Sequence, residues 1–331
     1  MKPSEGLASH FSSIDQLLGS SQSRYFGAGF RQVRQHIRDV HLDRRGVRAT
    51  AQIVYPAAWS TKKNRELQPH LSSIDALAVG AQLCEAYVRA AYGVEGAAAD
   101  RTWVRRIVLK SSNVPTLELD AVPAVFELVK TEAAPDARCG HLSHFTGRVG
   151  AMGVELVVDH PLVAATGELV AHYADLAEAL GPLDRRYYGA AYTTAGLDLR
   201  DVELAPDGLR VRALLDFDQP ALRAPLLGLG ASEFPFVSGA NAIVSVAQLA
   251  QAMLYRHDNV TRESSNNLWM RKIMIDSPEP APAGRGLGVE TWCEKSTLLH
   301  IKGAVWRSAS FIVKMPGVYG EYSLAHQLPS P

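Results

Sequence analysis

Cysteine is scarce in this chain. Its 331 residues include three, Cys84, Cys139 and Cys293, an odd number without CxxC spacing. That usage builds no disulfide framework and points to a reducing cytoplasm. A free thiol inside a fold is ordinarily a small core residue, the role expected of Cys84. Cys139, His141 and His144 lie close together but match no zinc-ligand spacing, so no metal is expected. An excess of either charge is also missing, with Lys plus Arg at 34 and Asp plus Glu at 34. Without a field of one sign to gather a phosphate backbone or an anionic bilayer, neither a nucleic-acid partner nor a membrane surface is expected. The opening MKPSEGLASHF has no apolar signal core. There is no GxSxG elbow, no GxxxxGK(S/T) loop and no GxGxxG after a strand. Serine-hydrolase and phosphate-cradling chemistry are therefore unsupported, and no cofactor is expected. The glycines of FGAGF (26–30) and RGLGVE (285–290) read as turns and tight packing.

What the chain has is a stretch from Pro69 to Gly93, PHLSSIDALAVGAQLCEAYVRAAYG, that is apolar on nearly every side after its opening turn. A helix hydrophobic all round is one that other elements wrap. Asp75, Gln82, Glu85 and Arg89 interrupt it, and a bilayer needs about 20 mostly apolar residues, so it reads as the core of a folded domain. The same helix returns at 238–256, SGANAIVSVAQLAQAMLYR, where Ala247-Gln248-Leu249 answers Ala81-Gln82-Leu83 at an offset of 166.

Such internal similarity governs the fold. SSIDQLLG (12–19) answers ADLAEALG (174–181), and RYFGAGF (24–30) answers RYYGAAY (186–192), both at an offset of 162; the second is the strongest local match. DVHL (39–42) pairs with DVEL (201–204), and RGVRA (45–49) with DGLRV (207–211), alternating runs around Gly-containing turns that signal hairpins. WVRRIV (103–108) meets WMRKIM (269–274) as a strand, and HFTGRV (144–149) resembles HIKGAV (300–305). Each half thus reads helix, hairpin, long buried helix and about three more strands. One long helix wrapped by an antiparallel sheet is an α+β solution with the shape known as the hotdog. The expectation is a double hotdog, residues 1–165 forming one repeat and 166–331 the other, with the boundary near 160–172 where Pro161 and Gly167 bracket a connector. SPEPAPAGRG (277–286) is expected to be a surface loop within the second repeat.

At the mouth of the first helix, Ser72 precedes Asp75 by three positions, the spacing of a capping box. In the second, Ser238 stands in the place of Ser72, but Asn241 replaces Asp75. An amide accepts and donates hydrogen bonds yet exchanges no proton. The split leaves two readings for Asp75: a helix cap, or the proton-handling group of a single active site shared by the halves. Gln82 follows Asp75 by seven residues on nearly the same face, and Gln248 stands likewise to Asn241. Each amide either binds strand carbonyls or looks toward the opposite lobe and a substrate. His70, on the turn entering the helix, suits general acid–base work beside a carboxylate. His144 and His300, as repeat partners, read as structural. Arg31, Arg34, Arg38, Arg44, Arg45 and Arg48 form a basic band without a counterpart in the second half, either a solvated face or a dock for an acidic carrier protein.

The run from His70 through Asp75 to Leu77 resembles the HPxLLDAAL motif of polyketide synthase dehydratase domains, double hotdogs whose Asp acts on the acyl substrate. The His-to-Asp spacing agrees, although here the proline precedes the histidine as Pro69. More extensively, RYFGAGFRQV, PHLSSIDALAVGAQL and WVRRIVL are similar, collinearly and over most of the chain, to the avirulence protein D (AvrD) family. That resemblance implies an enzyme joining a β-ketoacyl thioester, on an acyl carrier protein or coenzyme A, to a small sugar or polyol such as D-xylulose. Its product would be a syringolide-like or butenolide-like lipid signal, in parallel with the A-factor synthases (AfsA), double hotdogs that acylate dihydroxyacetone phosphate. Asp75 would then bind or deprotonate the acceptor hydroxyl or the acyl α-carbon, while the helix N-terminus polarises the thioester carbonyl. Two alternatives stand beside it: a hotdog dehydratase or thioesterase acting on acyl thioesters, and a non-catalytic acyl-ligand binding protein.

Overall fold

A computed structural model describes residues 8–57, 59–62, 65–164, 169–218, 222–265 and 267–329. The first half runs β1 (Ser9–Ser13), α1 (Asp15–Leu18), β2 (Arg34–Asp43), β3 (Gly46–Val54), β4 (Thr61–Lys62), β5 (Arg65–Glu66), α2 (Ser73–Tyr92), α3 (Gly96–Asp100), β6 (Trp103–Lys110), β7 (Val122–Ala133), β8 (His141–Val149) and β9 (Met152–His160). The second runs β10 (Val170–Asp175), α4 (Leu176–Leu180), β11 (Gly196–Leu204), β12 (Arg210–Asp218), α5 (Gly239–His257), β13 (Leu268–Asp276), β14 (Leu287–Ile301), β15 (Ala304–Met315) and β16 (Val318–Gln327).

The all-round apolar sequence of α2 is matched by its burial. Leu77, Val79, Leu83 and Cys84 have no exposed surface, and each buried Leu stabilises the fold by about 2 kcal/mol. Ser72 opens the helix by accepting the Asp75 N–H, Asp75 accepts the Ser72 N–H in return, and Gly93 ends it in the left-handed region at φ +61°. Ser238 and Asn241 open α5 with the same reciprocal box. Gly80 lets α2 lie close on β7: a Cβ there would stand 2.8 Å from the Phe126 ring.

Fourteen strands form one sheet in the order β1-β11-β12-β14-β15-β16-β13-β6-β9-β8-β7-β3-β2-β10. Its middle seam is the antiparallel pair β6–β13, with Ile107 opposite Ile275. Seven strands on each side of that seam wrap one long helix, so the molecule is an α+β double hotdog. The chain does not divide cleanly at 165. β1 completes the edge of the second lobe beside β11, and β10 completes the edge of the first beside β2. Each lobe therefore covers an otherwise exposed strand edge with a segment that precedes the other lobe in sequence.

Strand register corrects two of the repeat alignments. Leu42 pairs with Val47 and Leu204 with Val211, so Val47 corresponds to Val211 and not to Leu209. The second hairpin turn is longer by two residues, and the constant offset of 162 fails beyond it. His144 lies on β8 but His300 lies on β14, the counterpart of β7. The two histidines are not equivalent, because HIKGAV spans a hairpin turn while HFTGRV lies within one strand.

Candidate active site

The RY pair that begins the strongest internal match is where each half touches both lobes. Arg24 crosses to the second lobe, where its Nη1 donates to Gln248 Oε1 on α5 (2.7 Å), and it pairs with Asp15. Its neighbour Tyr25 turns back to the first lobe, its hydroxyl 2.5 Å from Ser72 Oγ. Arg186 and Tyr187 repeat this with the lobes exchanged: Arg186 pairs with Glu85 on α2, and the Tyr187 hydroxyl donates to Ser238 Oγ (2.6 Å).

The two helix mouths share the cap and differ in what surrounds it. Asp75 has no exposed surface. Its Oδ2 accepts from the Ser72 N–H (3.1 Å), the Ser72 hydroxyl (2.7 Å) and the Tyr55 hydroxyl (2.5 Å), and its Oδ1 accepts from Gln35 Nε2 (2.8 Å). Burial pushes the Asp75 carboxyl above its usual range, against the pull of the Tyr55, Ser72 and Gln35 hydrogen bonds. Burial and the nearby Asp75 charge push the Tyr55 and Tyr25 phenols well up. The Tyr55 hydroxyl also lies 2.9 Å from the His70 carbonyl oxygen. One phenolic proton serves one of these two acceptors at a time. If Asp75 holds the proton and donates it to Tyr55 Oη, Tyr55 is freed to donate to His70 O, so the network accommodates both states of the acid.

A cavity of about 910 Å³ opens between the lobes at this mouth. Ser72, Ser73, Tyr25 and His70 reach it from the first lobe, and Gln248 and Trp269 from the second. The His70 ring sits 5.8 Å from Trp269 and 6.0 Å from Trp59, and its Nδ1 is 3.2 Å from Gln68 O. With Nδ1–H donating there, Nε2 is left as the ring's acceptor. At the second mouth the place of His70 is taken by Phe236, at the same offset of 166 that relates the helices. Its ring fills the entrance, 4.9 Å from Trp103 and 4.6 Å from Tyr187. The Pro-rich loop 277–286, expected to be mere surface, straps this plug: Val237 N donates to Ala281 O (2.8 Å) and Ala283 N to Pro235 O (3.1 Å).

Of the residues singled out in the sequence, Ser72, His70 and Gln248 border the cavity, and Asp75 lies one hydrogen bond behind its wall. Gln82 does not border it; its Nε2 donates to Ala78 O within its own helix (3.0 Å), and among the described residues no strand carbonyl accepts from it. Ser238 and Asn241 belong to the plugged mouth, where the Ser238 hydroxyl donates to Asn241 Oδ1 (2.8 Å) and the Tyr187 hydroxyl lies 3.1 Å from that oxygen. Arg34, Arg38 and Arg48 are exposed on β2 and β3, away from the cavity lining. Sequence reasoning passed over Tyr25, Gln35, Tyr55, Tyr192 and Trp269. Tyr25, Tyr192 and Trp269 lay inside matched segments; Tyr55 carried no signal.

Residues 9–329 match the family model described as Pseudomonas avirulence D protein (AvrD). No curated protein sequence matches the chain. Similar solved structures include a TesB protein of Mycobacterium avium subspecies paratuberculosis, at 12% identity and TM-score 0.42, covering 85% of this chain and 93% of that one. An acyl-ACP thioesterase of Bacteroides thetaiotaomicron has 8% identity and TM-score 0.37, covering 78% and 92% respectively. A MaoC-like dehydratase has 10% identity and TM-score 0.31, covering 76% and 83%.

Proposed function

Because the chain belongs to the Pseudomonas avirulence D protein (AvrD) family, we propose that it transfers a β-ketoacyl group from a thioester to a hydroxyl of a small sugar or polyol such as xylulose, making a syringolide-like or butenolide-like lipid signal. One observation carries the proposal. The cavity opens at the mouth that holds Asp75 and His70, while the mouth that holds Asn241 and Phe236 is filled.

In this reading the apolar cavity wall, with Leu67, Leu71 and Trp269, takes the acyl chain, and the N–H of Ser73 in the first turn of α2 polarises the thioester carbonyl. The acceptor oxygen attacks that carbonyl. Its proton passes to Ser72 Oγ as the Ser72 proton crosses the hydrogen bond to Asp75 Oδ2, whose oxygens lie 2.7 Å apart. The C–S bond breaks, and the thiolate leaves with the proton that Asp75 returns. A carboxyl raised by burial is nearer the working pH, as proton transfer in both directions requires. His70, whose ring borders the cavity, is the second candidate base. The thioester arrives on coenzyme A or on an acidic carrier protein, for which exposed Arg34, Arg38 and Arg48 offer a docking face. The site as a whole is read as working in the cytoplasm.

A different reading, a non-catalytic acyl binder, is favoured by the complete enclosure of the Asp75 carboxylate. One assay separates the possibilities: a β-ketoacyl thioester is incubated with and without xylulose, following thiol release and product mass. Acceptor-dependent release with a product of summed mass supports transfer. Acceptor-independent release means hydrolysis, water loss from a β-hydroxyacyl thioester means dehydration, and ligand retention without turnover means a binder.

A further inference from the structure

The Asp75 site is completed by a residue of the opposite lobe. The Tyr192 hydroxyl, from the short turn of 3-10 helix before β11, lies 3.1 Å from Gln35 Nε2 and 3.3 Å from Gln35 Oε1. Gln35, on β2, donates its other Nε2 proton to Asp75 Oδ1 at 2.8 Å. A primary amide can turn over by 180° and offer the carboxylate either a donor or an acceptor. The Tyr192 hydroxyl can accept from Nε2 or donate to Oε1, so it holds Gln35 in place in either orientation while the Asp75 charge selects the donor, and the second lobe reaches the acid through one intermediate side chain. Tyr192 is itself buried, 2% exposed.

The internal repeat supplies the control. At the offset of 162, Gln35 corresponds to Leu197 and Tyr192 to Phe30, and both of these are buried. The pair is polar where it serves the aspartate and apolar where the cap is an asparagine. Two replacements at separate places, both removing the hydrogen bond where no acid is present, are what a joint duty toward the acid requires. Core packing alone asks nothing of the kind, because Leu and Phe fill these positions in the other copy.

We propose that Gln35 and Tyr192 are positioning residues for the proton-handling site, an amide held against Asp75 by a phenol from the other lobe, so that the site works only when both lobes are docked. The proposal rests on the assignment of Asp75 as the proton-handling group. Neither side chain borders the cavity, so neither touches substrate in this account. Their effect is on which protonation state of the carboxyl is favoured: a donor to Oδ1 stabilises the charged form, and its removal raises the carboxyl further.

The experiment uses Gln35→Leu and Tyr192→Phe, the residues that the other copy already holds, with Asp75→Asn as the reference. The pH dependence of kcat/KM for thiol release is measured, together with a direct carbon-13 NMR titration of the Asp75 carboxyl in the full-length protein. Gln35→Leu is expected to move both the acid limb of the profile and the NMR midpoint upward by about one pH unit. Tyr192→Phe should move both in the same direction by a smaller amount, with KM changed less than kcat. An unmoved NMR midpoint in Gln35→Leu and Tyr192→Phe overturns the proposal, whatever the activities. If instead Asp75→Asn is fully active while the midpoint still moves, the positioning holds and the assignment of Asp75 to the reaction falls. Unfolding of Gln35→Leu would leave Tyr192→Phe, which keeps the ring, to decide the matter.

Discussion

Replacing Asp75 by Asn separates a cap from a proton carrier, because the second repeat already displays the result. Asn241 Oδ1 accepts from the Ser238 N–H (3.0 Å) and the Ser238 hydroxyl (2.8 Å), with the Tyr187 hydroxyl 3.1 Å away, so an amide oxygen serves in the place of Asp75 Oδ2. The new NH2 would face Gln35 Nε2, donor against donor. Turning the Gln35 amide over resolves this, presenting Oε1 to the new donor and leaving Nε2 beside the Tyr192 hydroxyl, which can accept. An ordinary hydrogen bond is exchanged for another, and a carboxylate that was costly to bury is gone. The net change in stability should stay within about 1 kcal/mol, a shift in Tm of roughly 3 °C at most for a chain of this length. Turnover should fall at least 100-fold, the usual worth of a general acid–base group. Thiol release from a β-ketoacyl thioester in the presence of xylulose measures the second quantity, and a thermal melt measures the first. A variant with near-normal turnover and a Tm lowered by 10 °C would make Asp75 a cap alone, and the enzymatic account would be wrong.

Three further outcomes are expected. Ser72→Ala removes the helix cap, at a cost of about 1 kcal/mol, and also the link between Asp75 and the cavity; turnover within threefold of normal would mean that the acid reaches substrate without Ser72. Gly228→Ala places a Cβ 1.8 Å from Glu85 Oε1 and 2.2 Å from Arg186 Nη1 at φ +74°, so chemical denaturation should register a loss of at least about 2 kcal/mol, and an unchanged midpoint would contradict the packing. Burial pushes the Glu85 carboxyl up from 4.5 to about 7, against the pull of Arg186. A group raised on folding contributes stability that is complete below its unfolded value and is lost as pH rises through the folded one. Between pH 4.5 and 8 the wild type should therefore lose on the order of 2–3 kcal/mol relative to Glu85→Gln, and parallel stability curves for the two proteins would refute the shift.

Sequence alone determined the repeat, the two buried helices, their serine caps and the exchange of Asp75 for Asn241. These are local patterns: apolar spacing records which faces are buried, and a capping box closes within four residues. More was available at the same offset, since Pro69-His70 stands over Pro235-Phe236, and that pair separates the open mouth from the plugged one. Only the tertiary structure decided which polar groups meet the carboxylate. Tyr55, Gln35 and Tyr192 are 20, 40 and 117 residues from Asp75 in the chain. They are brought to it by the bulged β2–β3 register and by the docking of one lobe on the other. The exchanged edge strands and the two-residue drift in the hairpin came from the same source. A sequence pattern fixes whether a side chain points inward; strand register and lobe contact decide what it finds there.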